Sequence, residues 1–179
     1  MSLHDALSGM HKPDSAEEWK ESRRRLAYEE LLLLQTGLAL KRKKLKETCN
    51  VARILPNGGI YKKFRSSIPF ELTNAQKKAL DDIFEDTAKS NPMSRILQGD
   101  VGSGKTLVAI GLAAASADAG VQTVIMAPTE VLADQLYLQA DNWLSPLGVK
   151  CVILKGGQSA AVRRKVLDSM KEGSALIVV

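Results

Sequence analysis

Residues 99–106 carry the strongest structural signal in this sequence. They read Gly-Asp-Val-Gly-Ser-Gly-Lys-Thr and match the pattern G-x-x-x-x-G-K-[ST]. Glycine lets the backbone adopt positive φ and approach a ligand closely. Successive N–H groups can then point at anionic oxygens, and the positive end of a following helix adds to the attraction. The pattern therefore predicts a loop that binds the phosphate groups of a nucleotide.

The residues around this loop agree with that interpretation. Residues 95–98 are typical of the end of a short apolar strand, and residues 107–119 are typical of a helix. Lys105 is then expected to reach the β and γ phosphates, and the Thr106 hydroxyl to hold Mg²⁺. The alternative is a glycine turn between a strand and a helix. The residues predicted to bind nucleotide through this loop are Gly99, Gly102, Ser103, Gly104, Lys105 and Thr106, with Lys105 and Thr106 as the catalytic candidates.

From residue 94 onward, apolar strand patterns alternate with helical patterns. Nearly continuous apolar runs are typical of parallel strands that are covered on both faces. Right-handed crossovers between such strands give a doubly wound sheet, with ligands at the carboxyl ends of the strands. We therefore predict an α/β P-loop NTPase fold with a parallel sheet and flanking helices. The predicted strands are 94–98, 122–127, 150–154 and 175–179, and the predicted helices are 105–118, 130–143 and 160–171.

The amino-terminal part of the chain predicts a long helix. Residues 1–14 are polar and contain Pro13, so we expect a disordered leader there. Ser15 and Glu18 have the spacing of a capping box, in which the hydroxyl caps the Glu18 amide and the carboxylate reaches back. The composition stays strongly helical from this point to about residue 48.

A linker and a second capped helix follow. Residues 51–67 contain Pro-Asn-Gly-Gly and several basic side chains, which is typical of an irregular linker. Thr73 and Gln76 form a second capping box, which predicts a helix ending near residue 89. The sequence thus divides into a leader (1–14), a helical connector with a linker (15–70) and a nucleotide-binding domain (71–179).

The composition excludes several classes of protein. Of the 179 residues, 45% are hydrophobic and 25% are charged, which is typical of a globular protein. The sequence contains no apolar run long enough to span a bilayer and no signal-peptide pattern. Cys49 and Cys151 have no metal-like spacing, and reduced structural thiols are typical of cytoplasmic proteins. We therefore expect a cytoplasmic protein with no membrane partner.

The charge distribution favours a polyanionic partner. The formal net charge is +5, and a basic balance attracts polyanions such as nucleic acids. Each basic cluster taken alone is more simply explained as a solvated helix face. The clusters lie at residues 23–25, 41–44 and 163–165.

Four segments together carry more information than the phosphate-binding loop alone. They are Phe-Glu-Leu-Thr-Asn-Ala-Gln at 70–76, Ser-Arg-Ile-Leu-Gln and the loop at 94–106, Met-Ala-Pro-Thr-Glu-Val-Leu-Ala-Asp-Gln at 126–135, and Arg-Arg-Arg-Leu-Ala-Tyr-Glu-Glu-Leu at 23–31. The chain resembles the superfamily 2 DNA helicases in these segments, and in particular the RecG branch-migration helicases. The resemblance extends from about residue 15 to the last residue. It implies a helical connector followed by the amino-terminal part of a RecA-like first motor domain.

The resemblance implies that the nucleotide is ATP. Gln76 matches the glutamine that reads the adenine edge in that family, although its amide could instead only complete the capping box with Thr73. Phe70 matches a position from which an aromatic ring could stack on adenine, and a packing role in the core is equally consistent with its type.

The resemblance also implies contacts with the DNA backbone. Thr129, together with Pro128, matches a segment that contacts the phosphates of a DNA strand, although Thr129 could simply be the N-cap of the next helix. Gly156 and Gly157 match the position of a second DNA-contacting turn, where the family more often has a hydroxyl residue.

The activity implied by the resemblance belongs to a longer protein. It is an ATP-dependent double-stranded DNA translocase that remodels branched DNA, namely stalled forks and Holliday junctions. Such motors need a D-E-x-H segment and an arginine finger, and this sequence has neither, so we expect a fragment that hydrolyses ATP negligibly by itself. The alternatives are the motor of a transcription-repair coupling translocase and a non-catalytic nucleic-acid-binding module with a vestigial nucleotide site.

Overall fold

A computed structural model describes residues 1–48 and 51–179 of the chain. The chain divides into two compact units, Met1–Cys49 and Asn50–Val179. Cys49, one of the two cysteines considered above, lies outside the described residues. Within the described ranges, no helix is both long and apolar enough to cross a lipid bilayer.

The first unit consists of two helices, α1 (Leu3–His11) and α2 (Ala16–Thr48). The predicted long helix is confirmed as α2. Its capping box is only half formed. The Ser15 hydroxyl accepts a hydrogen bond from the Glu18 N–H at 3.1 Å, as expected. The Glu18 carboxylate accepts its bond from the N–H of Asp14, at 2.7 Å, instead of reaching back to Ser15.

The expectation of a disordered leader at residues 1–14 is wrong, because α1 occupies most of this segment. The Ser2 hydroxyl and the Asp5 carboxylate each accept a hydrogen bond from the other residue's N–H, which gives α1 a complete capping box. Helix α1 packs against α2, and Gly9 lies so close to Ser22 that a Cβ would collide with its hydroxyl. The local capping box and the packing on α2 together explain why this segment is helical.

The second unit is an α/β structure and confirms the predicted fold class. Its strands are β1 (Thr123–Val124), β2 (Cys151–Val152) and β3 (Ile177–Val178), and its helices are α3 (Gly59–Ser67), α4 (Asn74–Thr87), α5 (Lys105–Asp118), α6 (Glu130–Leu144), which continues into the 3₁₀ turn Ser145–Leu147, and α7 (Ala160–Lys171). The three strands are parallel in the order β1-β3-β2. Three of the four predicted strands are thus present, in shorter form.

The core of this unit surrounds helix α5, whose middle is rich in buried alanine. Ile110 on α5, Leu144 on α6 and Ile177 on β3 are almost completely buried. Burying an aliphatic side chain of this size stabilises the fold by about 1.5–3 kcal/mol. Phe64 of α3 lies against Gly111, where an added Cβ would be 3.3 Å from the Phe64 ring.

The predicted linker at residues 51–67 is wrong in its second half, which forms α3. The sequence there lacks a side-chain cap, since Gly58 stands at the N-cap and offers no side-chain acceptor. The acceptor comes from another element: the Asp118 carboxylate, at the end of α5, accepts the N–H of Ile60 at 2.9 Å and of Tyr61 at 2.8 Å. Helix α3 therefore exists because of tertiary contacts.

The first predicted strand, residues 94–98, does not join the sheet. Within the described ranges, no backbone hydrogen bond links this segment to β1, β2 or β3. The segment adds to neither outer edge of the sheet, which β1 and β2 form. It has no ladder, and Ile96 is 89% exposed.

Candidate functional site

The loop at residues 99–106, which the sequence predicts to bind phosphate, turns at two glycines with positive φ. Gly102 and Gly104 both have φ of +81°, in the left-handed region that favours glycine. The Ser103 N–H turns back to the Asp100 carbonyl oxygen at 3.2 Å. Gly104 is the N-cap of α5, so the loop ends where the helix presents its free N–H groups. This arrangement provides backbone donors and a positive dipole end for an anion.

The Lys105 ammonium is held against the main chain of the loop. Its Nζ donates to the carbonyl oxygen of Gly99 at 2.8 Å and to that of Asp100 at 2.7 Å. Thr106, the next residue, is half-buried and lines a cavity of about 240 Å³. The other residues lining this cavity are Leu97, Lys105, Ala109, Ile110, Ile125 and Leu136.

Gln76 links helix α4 to the loop. The predicted capping box is fully formed, because the Gln76 Oε1 accepts the N–H of Thr73 at 3.0 Å and the Gln76 N–H donates to the Thr73 hydroxyl at 3.2 Å. The same side chain donates from Nε2 to the Ser103 carbonyl oxygen at 2.9 Å. Gln76 therefore caps its helix and holds the loop at once, a combination that the sequence did not indicate.

A second cavity, of about 250 Å³, lies beside Gln76. It is lined by Thr73, Ala75, Gln76, Ala79, Leu97, Gln98, Gly99, Ser103, Lys105 and Val108. Phe70 does not line it and is 54% exposed. The structure thus brings Gln76 to the loop and leaves Phe70 outside both the core and this cavity.

The loop residues fit a polyphosphate group. A Cβ at Gly99 would lie 2.8 Å from the Ser103 Oγ, and a Cβ at Gly104 would collide with the Gln76 Nε2. The donors in and beside the loop are its backbone N–H groups, the Lys105 ammonium and the Gln76 Nε2 amide. Such a donor set binds phosphate oxygens through charge-assisted hydrogen bonds.

The structure also brings together the two segments expected to contact DNA. Thr129 follows β1 and caps α6, its hydroxyl accepting the Leu132 N–H at 3.3 Å. The turn containing Gly156 and Gly157 follows β2, and the Gly157 N–H donates to the Glu130 Oε1 at 3.2 Å. Because both segments leave the carboxyl ends of parallel strands, they meet at one edge of the sheet.

An ion pair also connects helix α6 to the turn after β2. The Lys155 ammonium lies 2.7 and 2.8 Å from the two carboxylate oxygens of Asp134. The sequence did not indicate the pairing of Glu130 and Asp134 with the turn. A usable signal was present, because residues four apart on a helix share one face, but only the fold places Lys155 opposite that face.

The segment that leads into the loop is fastened to helix α4 by an ion pair. Arg95 donates to the Asp86 Oδ2 from Nε at 2.9 Å and from Nη2 at 2.6 Å, and its Nη1 lies 3.6 Å from Asp82. The hydrogen bonds from Arg95, and then from Lys89, hold the pKa of Asp86 below its usual range. This tie acts in place of the missing strand ladder at 94–98.

Cys151, on β2, has a structural role. It is free and buried, and burial raises its pKa to about 11. It is a neutral thiol near neutral pH, in agreement with the sequence-based interpretation.

A glycine-rich loop that opens a helix beside a parallel sheet defines a P-loop nucleotide-binding protein. More particularly, the profile of the DEAD/DEAH box helicase family matches residues 73–179, and the chain belongs to that family. Membership of this family implies the use of ATP.

The resemblance to RecG helicases is confirmed over the whole chain. The chain is 36% identical to the ATP-dependent DNA helicase RecG of Synechocystis over 99% of its own length and 21% of the relative. It is 38% identical to that of Borreliella burgdorferi, covering 100% of the chain and 26% of the relative. For Acidithiobacillus ferridurans the identity is 40%, over 99% of the chain and 25% of the relative. The chain therefore spans about a quarter of the length of these relatives.

A solved structure shows the same fold. It is described as RecG bound to a three-way DNA junction, with a TM-score of 0.84 and 37% sequence identity. The match covers 98% of this chain and 24% of that chain.

Proposed function

We propose that this chain is the ATP-binding part of an ATP-dependent double-stranded DNA translocase or helicase that remodels branched DNA. The proposal rests above all on the loop at 99–106, in which two glycines have positive φ and the Lys105 ammonium is held at the start of α5 by two loop carbonyl oxygens. The substrate class comes from the relatives, which are named ATP-dependent DNA helicases, and from the similar structure with its three-way junction. Stalled forks and Holliday junctions are the branched DNA we expect.

In this proposal, ATP binds to the loop, and helix α4 completes the binding site. The amides of Gly99, Gly102, Ser103 and Gly104 donate to phosphate oxygens, and Lys105 exchanges its two carbonyl partners for the β and γ phosphates. Thr106 holds Mg²⁺, which supplies positive charge that offsets the charge of the phosphates.

Adenine recognition falls to Gln76 in this proposal. Its side chain lines the second cavity and already contacts the loop. Phe70 remains a candidate for stacking, and it is exposed enough for its ring to move toward a base.

The proposed DNA contacts lie in the two segments that follow β1 and β2. We propose that the hydroxyl of Thr129, the backbone at Pro128 and the turn at Gly156 and Gly157 contact one strand's phosphates. All four residues are exposed. Affinity that depends on phosphate contacts falls steeply with salt concentration.

The organisation of the chain follows from the same proposal. Residues 15–48 form the helical connector, and α3 joins residues 71–179 in the amino-terminal part of the first motor domain. The packing of α3 against α5 extends that motor unit upstream of residue 71. Because the proposed substrate is DNA, we place the protein in the cytoplasm. The chain by itself hydrolyses ATP negligibly, since it contains neither the D-E-x-H segment nor the arginine finger of such motors.

Calorimetric titration of the chain with Mg-ATP tests the nucleotide site. We expect binding by the wild type and at least a tenfold loss in Lys105→Ala, because charge-assisted hydrogen bonds contribute about 1.5–3 kcal/mol each. Lys171→Ala removes an exposed lysine on α7 and serves as the control, with no change in affinity. Equal ATP binding by wild type and Lys105→Ala contradicts the proposal and favours the non-catalytic module.

Binding of RNA polymerase, with no preference for branched DNA, favours the transcription-repair coupling translocase.

A further inference from the structure

The turn after β2 is held in place although its central residues have no side chains. Gly156 and Gly157 are both exposed, and glycine has the largest backbone freedom of any residue. An isolated Gly-Gly turn would therefore sample many conformations, and ordering it on binding would cost free energy. In this structure several neighbouring groups restrict it.

The first of these groups is Glu130, the first residue of α6. Its Oε1 accepts the Gly157 N–H at 3.2 Å. An added Cβ on Gly156 would lie 3.2 Å from the same oxygen, and one on Gly157 would lie 3.8 Å from the Glu130 Oε2. The carboxylate therefore lies along both glycines, and its position in the chain is directly after Thr129.

Two further contacts restrain the ends of the turn. Lys155 pairs with Asp134, one helical turn after Glu130, at 2.7 and 2.8 Å. Gln158 closes the turn from within, because its Oε1 accepts the Lys155 N–H at 3.3 Å and its Nε2 donates to the Ile153 carbonyl oxygen at 2.9 Å. Both ends of the turn are thus tied, and Glu130 ties its centre.

We infer that Glu130 is a positioning residue for the DNA strand. It holds the Gly156-Gly157 turn at a fixed place relative to Thr129, so that one strand's phosphates can meet both segments without reordering the turn. A preorganised contact surface binds more tightly because less conformational entropy is lost on association. This inference rests on the proposed DNA contacts at Thr129 and at the Gly156-Gly157 turn, where the Gly156 N–H meets the phosphate because the Gly157 N–H stays bonded to Glu130.

A different role for the same carboxylate gives the opposite result. A negative charge beside a phosphate-binding turn could compete with the DNA for the Gly157 N–H. In that case removing the charge would tighten DNA binding, whether or not an acceptor remains. Glu130→Gln keeps a carbonyl acceptor and removes the charge, whereas Glu130→Ala removes both, so the two variants separate the two roles.

The experiment measures both variants of the full chain by two methods. Hydrogen exchange of the Gly157 amide is followed by NMR without DNA, and binding to a three-way junction is followed by fluorescence anisotropy. We expect Glu130→Ala to speed Gly157 exchange and to weaken junction binding, each by about 3- to 10-fold, the effect of one lost hydrogen bond. Glu130→Gln should stay close to wild type by both methods.

Glu172→Ala is the matched control, because it removes an exposed carboxylate just after α7 and should change neither readout. Unchanged Gly157 exchange in Glu130→Ala overturns the inference, and so does tighter junction binding by both variants. A wild-type chain that fails to bind the junction contradicts the proposed function instead. The exchange measurement still decides whether Glu130 holds the turn, because it is made without DNA.

Discussion

Two constraints at position 104 disfavour any residue that has a Cβ. The Gly104 φ of +81° lies in the left-handed region, and a Cβ would collide with the Gln76 Nε2. Left-handed backbone costs an L residue roughly 1–2 kcal/mol. Because Gly104 is the N-cap of α5, a shift there also changes the direction of the first N–H groups of the helix.

We expect Gly104→Ala to weaken Mg-ATP binding by about 5- to 30-fold, the equivalent of 1–2 kcal/mol. Calorimetric titration measures the loss. Gly37→Ala is the control, since nothing lies within 4 Å of a Cβ at that position in α2. It should leave ATP affinity unchanged and stabilise α2 by roughly 0.5–1 kcal/mol. Wild-type ATP affinity in Gly104→Ala would show that the loop tolerates a side chain there.

Among the elements, the sequence predicts the helices whose signals are local. Helix α4 begins at the Thr73–Gln76 capping box and α6 at the Thr129 cap, and both were expected. Helix α3 was missed because its N-terminal acceptor, Asp118, lies far away in the sequence. Helix α1 was missed although its Ser2–Asp5 capping box is a local signal. The strand at 94–98 was wrongly predicted, since an apolar run forms a strand only where a neighbour offers a ladder.

Helix α3 gives a direct test of such a distant contribution. We expect Asp118→Ala to lower the free energy of unfolding by about 1–2 kcal/mol, because two N–H groups at the start of α3 lose their acceptor. Urea denaturation measures the change. Asp168→Ala, on the exposed face of α7, should stay within about 0.5 kcal/mol of wild type. Coincident urea midpoints for the two variants would mean that α3 does not need this cap.

Considered as a whole, the separate segments of the candidate site were predicted, but the hydrogen bonds that join them were not. The loop could be recognised from one short segment, because its glycines, lysine and threonine have a fixed spacing. The bonds of Gln76 to Ser103 and of Glu130 to Gly157 join residues that are far apart in the chain. Only the fold determines such pairs, so no local pattern could indicate them.

The loop at residues 99–106 is attached to the rest of its unit partly through an ion pair. Residues 94–98 lack a ladder, and Arg95 ties this segment to Asp86 on α4. The ion pair is exposed, so salt screens it. The order of the segment that enters the loop should therefore depend on the charge of Asp86.

The pKa of Asp86 sets the direction of this dependence. Since hydrogen bonds from Arg95 lower the pKa of Asp86 in the folded chain, the contribution of the pair is complete above the unfolded pKa of about 3.9. It is lost as the pH falls through the lowered folded value. We expect amide exchange at residues 95–99, corrected for its intrinsic rate, to be constant near neutral pH and to rise below about pH 4.

Arg95→Gln removes the partner and separates this tie from general acid unfolding. It should raise exchange at residues 95–99 already at neutral pH and abolish the additional acid rise, while circular dichroism reports an intact fold. Lys63→Gln, which removes an exposed cation on α3, should retain the wild-type profile. Equal exchange in wild type and Arg95→Gln at neutral pH would mean that the loop segment is held without this pair. The Lys105 and Gln76 bonds to the loop would then account for its order, because they are the remaining side-chain bonds to the loop in the described residues.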